Sequence, residues 1–381
     1  DLSMELGDLA LLETSRRLWD DMTKGKLYIT GGVGARYDGE SFGEAYELPA
    51  DQCYCETCAA IGNFFWNWRM LLVSGESQYA DLMERLMYNG ILSSPGLDGT
   101  SYFYANPLML RNGRYVRLST NPGEEHKSSS RPEWHSVSCC PPNVMRWLAS
   151  LPHYFATRDE AGIQIHQFSN LTISDGGVSL SMETGYPWDG RVKITVTESR
   201  DQAWRLSLRL PDWCQSFDLK LNGQDVNSSL QKGYLTIEGT WKMDDVVELD
   251  FTMKAFLVEA NPRVDSVRGC VAIQRGPLVY CLEEQDHEPG VNLLDVNIDP
   301  SQELTSHWQG DLLGGVIALE GVGYQRDRSS WQENGLYRPL IQENGNQPPD
   351  RKMKLTAIPY YAWGNRGLKS MRVWIPLSLV E

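Results

Sequence analysis

The chain has 381 residues, 41% of them hydrophobic and 22% charged, a balance that excludes a largely disordered protein and leaves room for two or three domains. Fifty Asp and Glu stand against 35 Lys and Arg, a formal charge of −15, so evenly spread charge repels a phosphate backbone and nucleic acid is not an expected partner. No apolar run approaches the roughly 18 residues of a membrane span, and the N-terminus lacks the basic-then-apolar order of a signal peptide, so no membrane partner is expected.

The first 160 residues or so carry helical patterns. Leu2, Leu6, Leu9 and Leu12 recur at helical spacing and predict a helix from Leu2 to Met22. Ala59 to Ser74 reads as a second helix stopped by Gly75. Helices also fit Tyr79 to Asn89 and Asn143 to Ala156, with Pro141-Pro142 opening the last. Long irregular connections, Thr30 to Gln52 and Gly90 to Ser138, separate them, and loops of that length usually carry function. Gly31-Gly32-Val33-Gly34 does not complete a dinucleotide fingerprint, because Tyr37 stands where the third glycine is needed.

Beyond residue 160 the period changes to two. Val192, Ile194 and Val196 alternate with polar residues, as do Trp204 to Leu210 and Phe217 to Leu221, the latter ending at the hairpin signal Asn222-Gly223. Further strands are predicted at Tyr234–Ile237, Val246–Phe251, Cys270–Gln274, Leu278–Leu282, Leu355–Trp363 and Met371–Ile375, a spacing typical of sandwiches. Ser301 to Asp350 is too polar to assign. The 13 Trp and 17 Tyr fit either sandwich cores or sugar-stacking walls. Asn170 and Asn227 begin Asn-x-Ser/Thr triplets, a pattern short enough to arise by chance.

Eight cysteines fall at 53, 55, 58, 139, 140, 214, 270 and 281, and five of them crowd two short segments. Such clustering is commoner in metal sites of reducing compartments than in disulfide frameworks, which gives an expected cytoplasmic location. Neighbouring Cys139 and Cys140 can hardly bond each other, so they need outside partners or a metal. Zinc accepts thiolates and carboxylates tetrahedrally, and Glu56, Cys58, Cys139 and Cys140 compose a Cys₃Glu set; buried thiols or disulfides are the alternatives. Positions 56 and 58 lie about 200° apart on a helix but on one side of an extended segment. Both can be ligands only if the helix starts near Cys58. A thiolate just before the Pro141-Pro142 helix is favoured by the helix dipole.

Taken together, Tyr28-Ile29-Thr30-Gly31-Gly32-Val33-Gly34, Gly39-Glu40-Ser41-Phe42, Tyr46-Glu47-Leu48-Pro49, Glu56-Thr57-Cys58-Ala59-Ala60-Ile61-Gly62, Glu84-Arg85-Leu86-Met87-Tyr88-Asn89-Gly90, Tyr102-Phe103-Tyr104-Ala105-Asn106-Pro107-Leu108 and Cys139-Cys140-Pro141-Pro142-Asn143 resemble glycoside hydrolase family 127 and its relative family 146, zinc-dependent β-L-arabinofuranosidases. The resemblance implies an α+β multidomain chain: the later part of an (α/α)₆ barrel over 1–158, then jelly-roll-like β-sandwich domains over 159–262 and 263–381. It implies zinc on Glu56, Cys58, Cys139 and Cys140, with Cys139 as nucleophile and Glu40 as general acid/base. Glu84 and Tyr104 fall in motifs that face the sugar, and His135 is a further candidate for substrate contact. Without the resemblance, Glu84 reads as a surface ion pair with Arg69, Tyr104 as packing, and Glu40 as one solvated carboxylate of the acidic loop Asp38–Glu44. Cys53 and Cys55 are thiols beyond the usual pattern, either inert or competing for the metal.

The implied activity is retaining release of terminal β-L-arabinofuranose from a plant-type glycan or arabinofuranosyl oligosaccharide, with a homodimer allowed. The resemblance also implies a longer protein whose preceding half supplies His residues to the sugar pocket. The alternative from another class is a noncatalytic carbohydrate-binding segment with a structural Cys-rich zinc site. A hydrolase working through metal-bound water fits less well, since four protein ligands leave no open position.

Overall fold

The computed structural model describes residues 1–111, 131–135, 137–328, 335–337, 350–367 and 369–378. Its class is mixed α+β with sheets predominating, as the residue patterns predict.

Among the described residues, five α-helices occupy the first part: α1 (Leu2–Leu6), α2 (Leu9–Gly25), α3 (Thr57–Ser74), α4 (Ser77–Arg85) and α5 (Cys140–Ser150). The single helix predicted for Leu2 to Met22 is two. Gly7 turns left-handed at φ 64°, and the Asp8 carboxylate restarts the helix by accepting from the Ala10 amide at 2.8 Å. Its leucine stripe is exposed at Leu2, Leu6 and Leu9. The helix predicted from Tyr79 begins at Ser77 and widens after Arg85 into a π-helical turn, Leu86–Ile91. Asn89 sits in that turn and reaches across to the last domain, donating to the Pro277 carbonyl at 2.8 Å and accepting from the Val279 amide at 2.7 Å. Trp19, Ile61, Phe64, Trp68, Met83, Leu86 and Trp147 form the helical core.

A five-stranded and a six-stranded sheet follow, and their inner faces share one core built on Ile165, Leu180, Ile194, Trp204, Leu206, Val247 and Phe251. Alternation produces this directly: in Arg191–Glu198, Val192, Ile194 and Val196 point in and their neighbours out. Ala156–Arg158 pairs with Gly162–Ile165 and so belongs to these sheets, although it lies before the expected boundary at 158. Likewise Ala255–Glu259 pairs with Cys270–Arg275, placing it in the last unit rather than before the boundary expected at 262. A β-ladder holds its strands in one sheet, and the chain crosses between units in the loops outside those ladders.

The last unit is built on a sheet that has ten strands among the described residues. Its strands include Thr305–Gln309 and Val316–Gln325, inside the stretch that the sequence left unassigned. One face of this sheet closes a core with the irregular first part of the chain: Tyr28, Cys53, Cys55, Phe103 and Leu108 pack with Val279, Cys281, Ile358, Tyr360 and Trp363. Met109–Leu110 even joins the sheet by pairing with Met371–Arg372. No described helix is long and apolar enough to cross a membrane.

Candidate metal and catalytic site

The site forms where α3 and α5 begin. Glu56 is the extended residue ahead of α3, at φ −61° and ψ 139°, and Thr57 is the first helical residue. The side chains of Glu56 and Cys58 therefore leave the chain on one side, as their two-residue spacing requires. Asn106 locks this entry, donating to the Cys55 carbonyl at 3.0 Å and to Thr57 Oγ1 at 3.1 Å. The neighbouring strip is pinned by the Thr57 amide on the Tyr104 carbonyl at 3.0 Å. Opposite, Cys140 opens α5 with Pro141 and Pro142 in the first turn, and Cys139 caps it.

These elements bring Glu56, Cys58, Cys139 and Cys140 together, with one ligand atom from each lying within 4.8 Å of all the others. Cys58 Sγ is 3.7 Å from Cys140 Sγ, Cys139 Sγ is 3.8 Å from Cys140 Sγ, and Glu56 Oε1 is 3.3 Å from Cys139 Sγ. All eight cysteines are free. Left to themselves, the four groups share charge poorly. The hydrogen bond shared with Cys140 draws the Cys58 thiol down to about 6, while burial and the Cys58 charge push the Glu56 carboxyl up to about 7. Burial raises Cys139 to about 11, so without a cation this sulfur holds its proton at neutral pH. The donor set is one that a metal ion completes, because a cation favours every deprotonated form at once.

Glu40 ends a tight turn, Asp38–Glu40, with its own backbone at φ 49°. The turn is held by the Glu40 amide on the Tyr37 carbonyl at 3.1 Å and by Ser41 Oγ on the Asp38 carbonyl at 3.0 Å. A non-glycine residue in this left-handed region costs on the order of 1 kcal/mol, and such strain gathers at functional sites. The exposed Glu40 carboxylate accepts from Tyr54 Oη at 2.7 Å. Tyr104 Oη lies 3.5 Å from Cys139 Sγ. Tyr37, Tyr54, Tyr102 and Tyr104 wall the cysteines in. His135 packs behind this wall, edge-on to Tyr102 and Tyr104, with Nε2 3.2 Å from the Tyr102 carbonyl.

Comparison with known proteins points to one family. The catalytic-domain model of family 127 β-L-arabinofuranosidases matches residues 1–153, the family's middle-domain model 162–253 and its C-terminal-domain model 256–376. The chain belongs to glycoside hydrolase family 127. It is 33% identical to a non-reducing end β-L-arabinofuranosidase of Bifidobacterium longum subsp. longum, over 97% of this chain and 56% of that protein. Among solved structures it is similar to a family 127 β-L-arabinofuranosidase from Geobacillus stearothermophilus T6, with 38% identity and TM-score 0.88 over 99% of this chain and 58% of that one. A second structure, a family 127 β-arabinofuranosidase, gives 33% identity and TM-score 0.86 over 100% of this chain and 58% of that one. The chain thus spans little more than half the length of these family 127 relatives.

One expectation needs correction, and one pair of alternatives is narrowed. Glu84 does not face a sugar. It is 2% exposed and lies under the middle sheets, where it pairs with Arg209 and accepts from Tyr186 Oη at 2.5 Å and Trp213 Nε1 at 3.1 Å. Arg209, itself fully buried, also binds Asp81 at 2.6 Å. The surface partner imagined for Glu84, Arg69, pairs with Asp1 at 2.8 Å instead. Of the two alternatives for Cys53 and Cys55, inert thiols or competitors for the metal, their placement fits the first. Both are buried in the core shared with the last sheet, and Cys53 Sγ faces the Ala50 and Asn106 carbonyls at 3.5 and 3.6 Å. Tyr54, between them, was not singled out by any motif.

Proposed function

We propose that this chain carries the nucleophile, the acid/base and the metal site of a retaining glycoside hydrolase that releases terminal β-L-arabinofuranose from a plant-type glycan or arabinofuranosyl oligosaccharide. The convergence of Glu56, Cys58, Cys139 and Cys140 beside Glu40 carries this reading. A structural zinc site has no need of a carboxylate turned toward the same wall of tyrosines.

The donor set fits zinc. Bonds of about 2.3 Å to sulfur make tetrahedral edges of about 3.8 Å, and the two sulfur–sulfur edges measure 3.7 and 3.8 Å. Bound zinc would keep Cys139 deprotonated at neutral pH while moderating its nucleophilicity. In the first step Cys139 sulfur attacks the anomeric carbon, the glycosidic C–O bond breaks, and Glu40 gives its proton to the leaving oxygen. In the second, Glu40 takes a proton from water, the water oxygen bonds the anomeric carbon, and the C–S bond returns its electron pair to Cys139. Tyr104, beside the sulfur, lines the position of the sugar.

Mass spectrometry of the chain incubated with an activated, slowly turned over arabinofuranoside tests the assignment, alongside hydrolysis of p-nitrophenyl β-L-arabinofuranoside. A pentosyl adduct on Cys139 that is absent from Cys139→Ser is the expected result. An adduct on Cys140 transfers the nucleophile's role to its neighbour. Absence of both adduct and hydrolysis overturns the reading for this chain.

A further inference from the structure

Glu40 and Cys139 are linked by two tyrosines. Tyr54 Oη lies 2.7 Å from Glu40 Oε1 and also meets the hydroxyl of Tyr104, which stands 3.5 Å from Cys139 Sγ. The Tyr54 ring is 2% exposed, edge-on to Tyr37 at 5.0 Å and tilted against Tyr104 at 6.0 Å. Its backbone is fixed as well, the Tyr54 amide donating to the Gly34 carbonyl at 3.0 Å. A buried, clamped phenol whose oxygen reaches an exposed carboxylate on a strained turn is placed to aim that carboxylate.

We propose that Tyr54 is a positioning residue: its hydroxyl fixes one oxygen of the Glu40 carboxyl and so turns the other toward the glycosidic oxygen. The proposal rests on the glycosidase reading above. Tyr54 donates its one proton to Glu40 Oε1, which leaves the other carboxyl oxygen to carry the acid proton toward the leaving oxygen. In the first step that proton leaves with the aglycone oxygen as the C–O bond breaks and the C–S bond forms. In the second, the Glu40 carboxylate, still held by Tyr54, takes a proton from water. Tyr54 keeps its own hydrogen throughout, and its bond to Glu40 strengthens as the carboxyl ionises, because hydrogen bonds to a charged partner are the stronger kind.

Tyr54→Phe keeps the packed ring and removes both contacts. The test is kcat/KM over a series of aryl β-L-arabinofuranosides from 2,4-dinitrophenyl to phenyl leaving groups, with melting temperature and zinc content measured in parallel. The expected result is a fall of about ten- to a hundredfold for the phenyl glycoside. The dinitrophenyl glycoside, which departs without a proton, should change by less than about threefold for that step. Equal loss across the series, or no loss anywhere, overturns the role of Tyr54 while leaving the glycosidase reading in place. A wild-type chain that hydrolyses none of the glycosides overturns both.

Discussion

Replacing Glu84 by Ala separates a stabilising role from a sugar-binding one. The change strips Arg209 of one of its two carboxylates and leaves the Tyr186 hydroxyl and the Trp213 indole N–H without their acceptor, all in a region closed to water. Breaking a buried ion pair by removing one partner costs about 3–5 kcal/mol, and each orphaned donor adds about 1–3 kcal/mol before relaxation. These contributions overlap, so about 4 kcal/mol is a fair lower figure. At roughly 2 °C per kcal/mol for a protein of this size, the melting transition should fall by about 8 °C or more in scanning calorimetry. Glu84→Gln should cost less, since one oxygen still accepts while the new amide opposes an N–H donor. A Glu84→Ala protein that melts within about 1 °C of wild type, yet loses affinity for arabinose, would refute the buried-network reasoning and restore the sugar contact.

The two cysteine groups should behave differently. Cys140→Ser should lower zinc per chain from about one toward none, as read by elemental analysis under reducing conditions, whereas Cys53→Ala and Cys55→Ala should keep the metal and lose about 1 kcal/mol of stability each through packing. Asp81 predicts a pH effect. Burial raises its carboxyl from 3.8 to about 7 despite Arg209, so the folded chain holds this proton more tightly than the unfolded one. Its contribution to stability is therefore greatest below about pH 4 and is lost as the pH rises through 7. Relative to Asp81→Asn, wild type should lose melting temperature between pH 5 and pH 8; a constant difference between the two proteins would count against the shift.

Much of the site could be read from local spacing. Glu56 and Cys58 demanded an extended residue followed by a helix start, and the chain supplies it at Thr57; Pro141 and Pro142 marked the opening of α5. The errors arose where long-range partners decide. Glu84 is defined by Arg209, 125 positions away in sequence, and no window around Glu84 contains that information. Tyr54 is one tyrosine between two cysteines until the turn at Gly39-Glu40 folds over it. The strands Thr305–Gln309 and Val316–Gln325 escaped notice because the first is almost wholly exposed and the second is interrupted by Gly321 and Gly323, which blurs the alternation that marks a half-buried strand.

The core shared by the first and last parts of the chain has a consequence for how this enzyme family can be taken apart. Cys53 and Cys55 rest against Cys281, Tyr360 and Trp363 immediately before the segment that delivers Glu56 and Cys58. The terminal sheet is thus the foundation on which the ligand-bearing strip is laid, although it lends no atom to the ligand set. Grafting the helical part onto a foreign partner would leave that strip without its support, so the unit that can be moved or recombined is the whole arrangement of helices, middle sheets and terminal sheet.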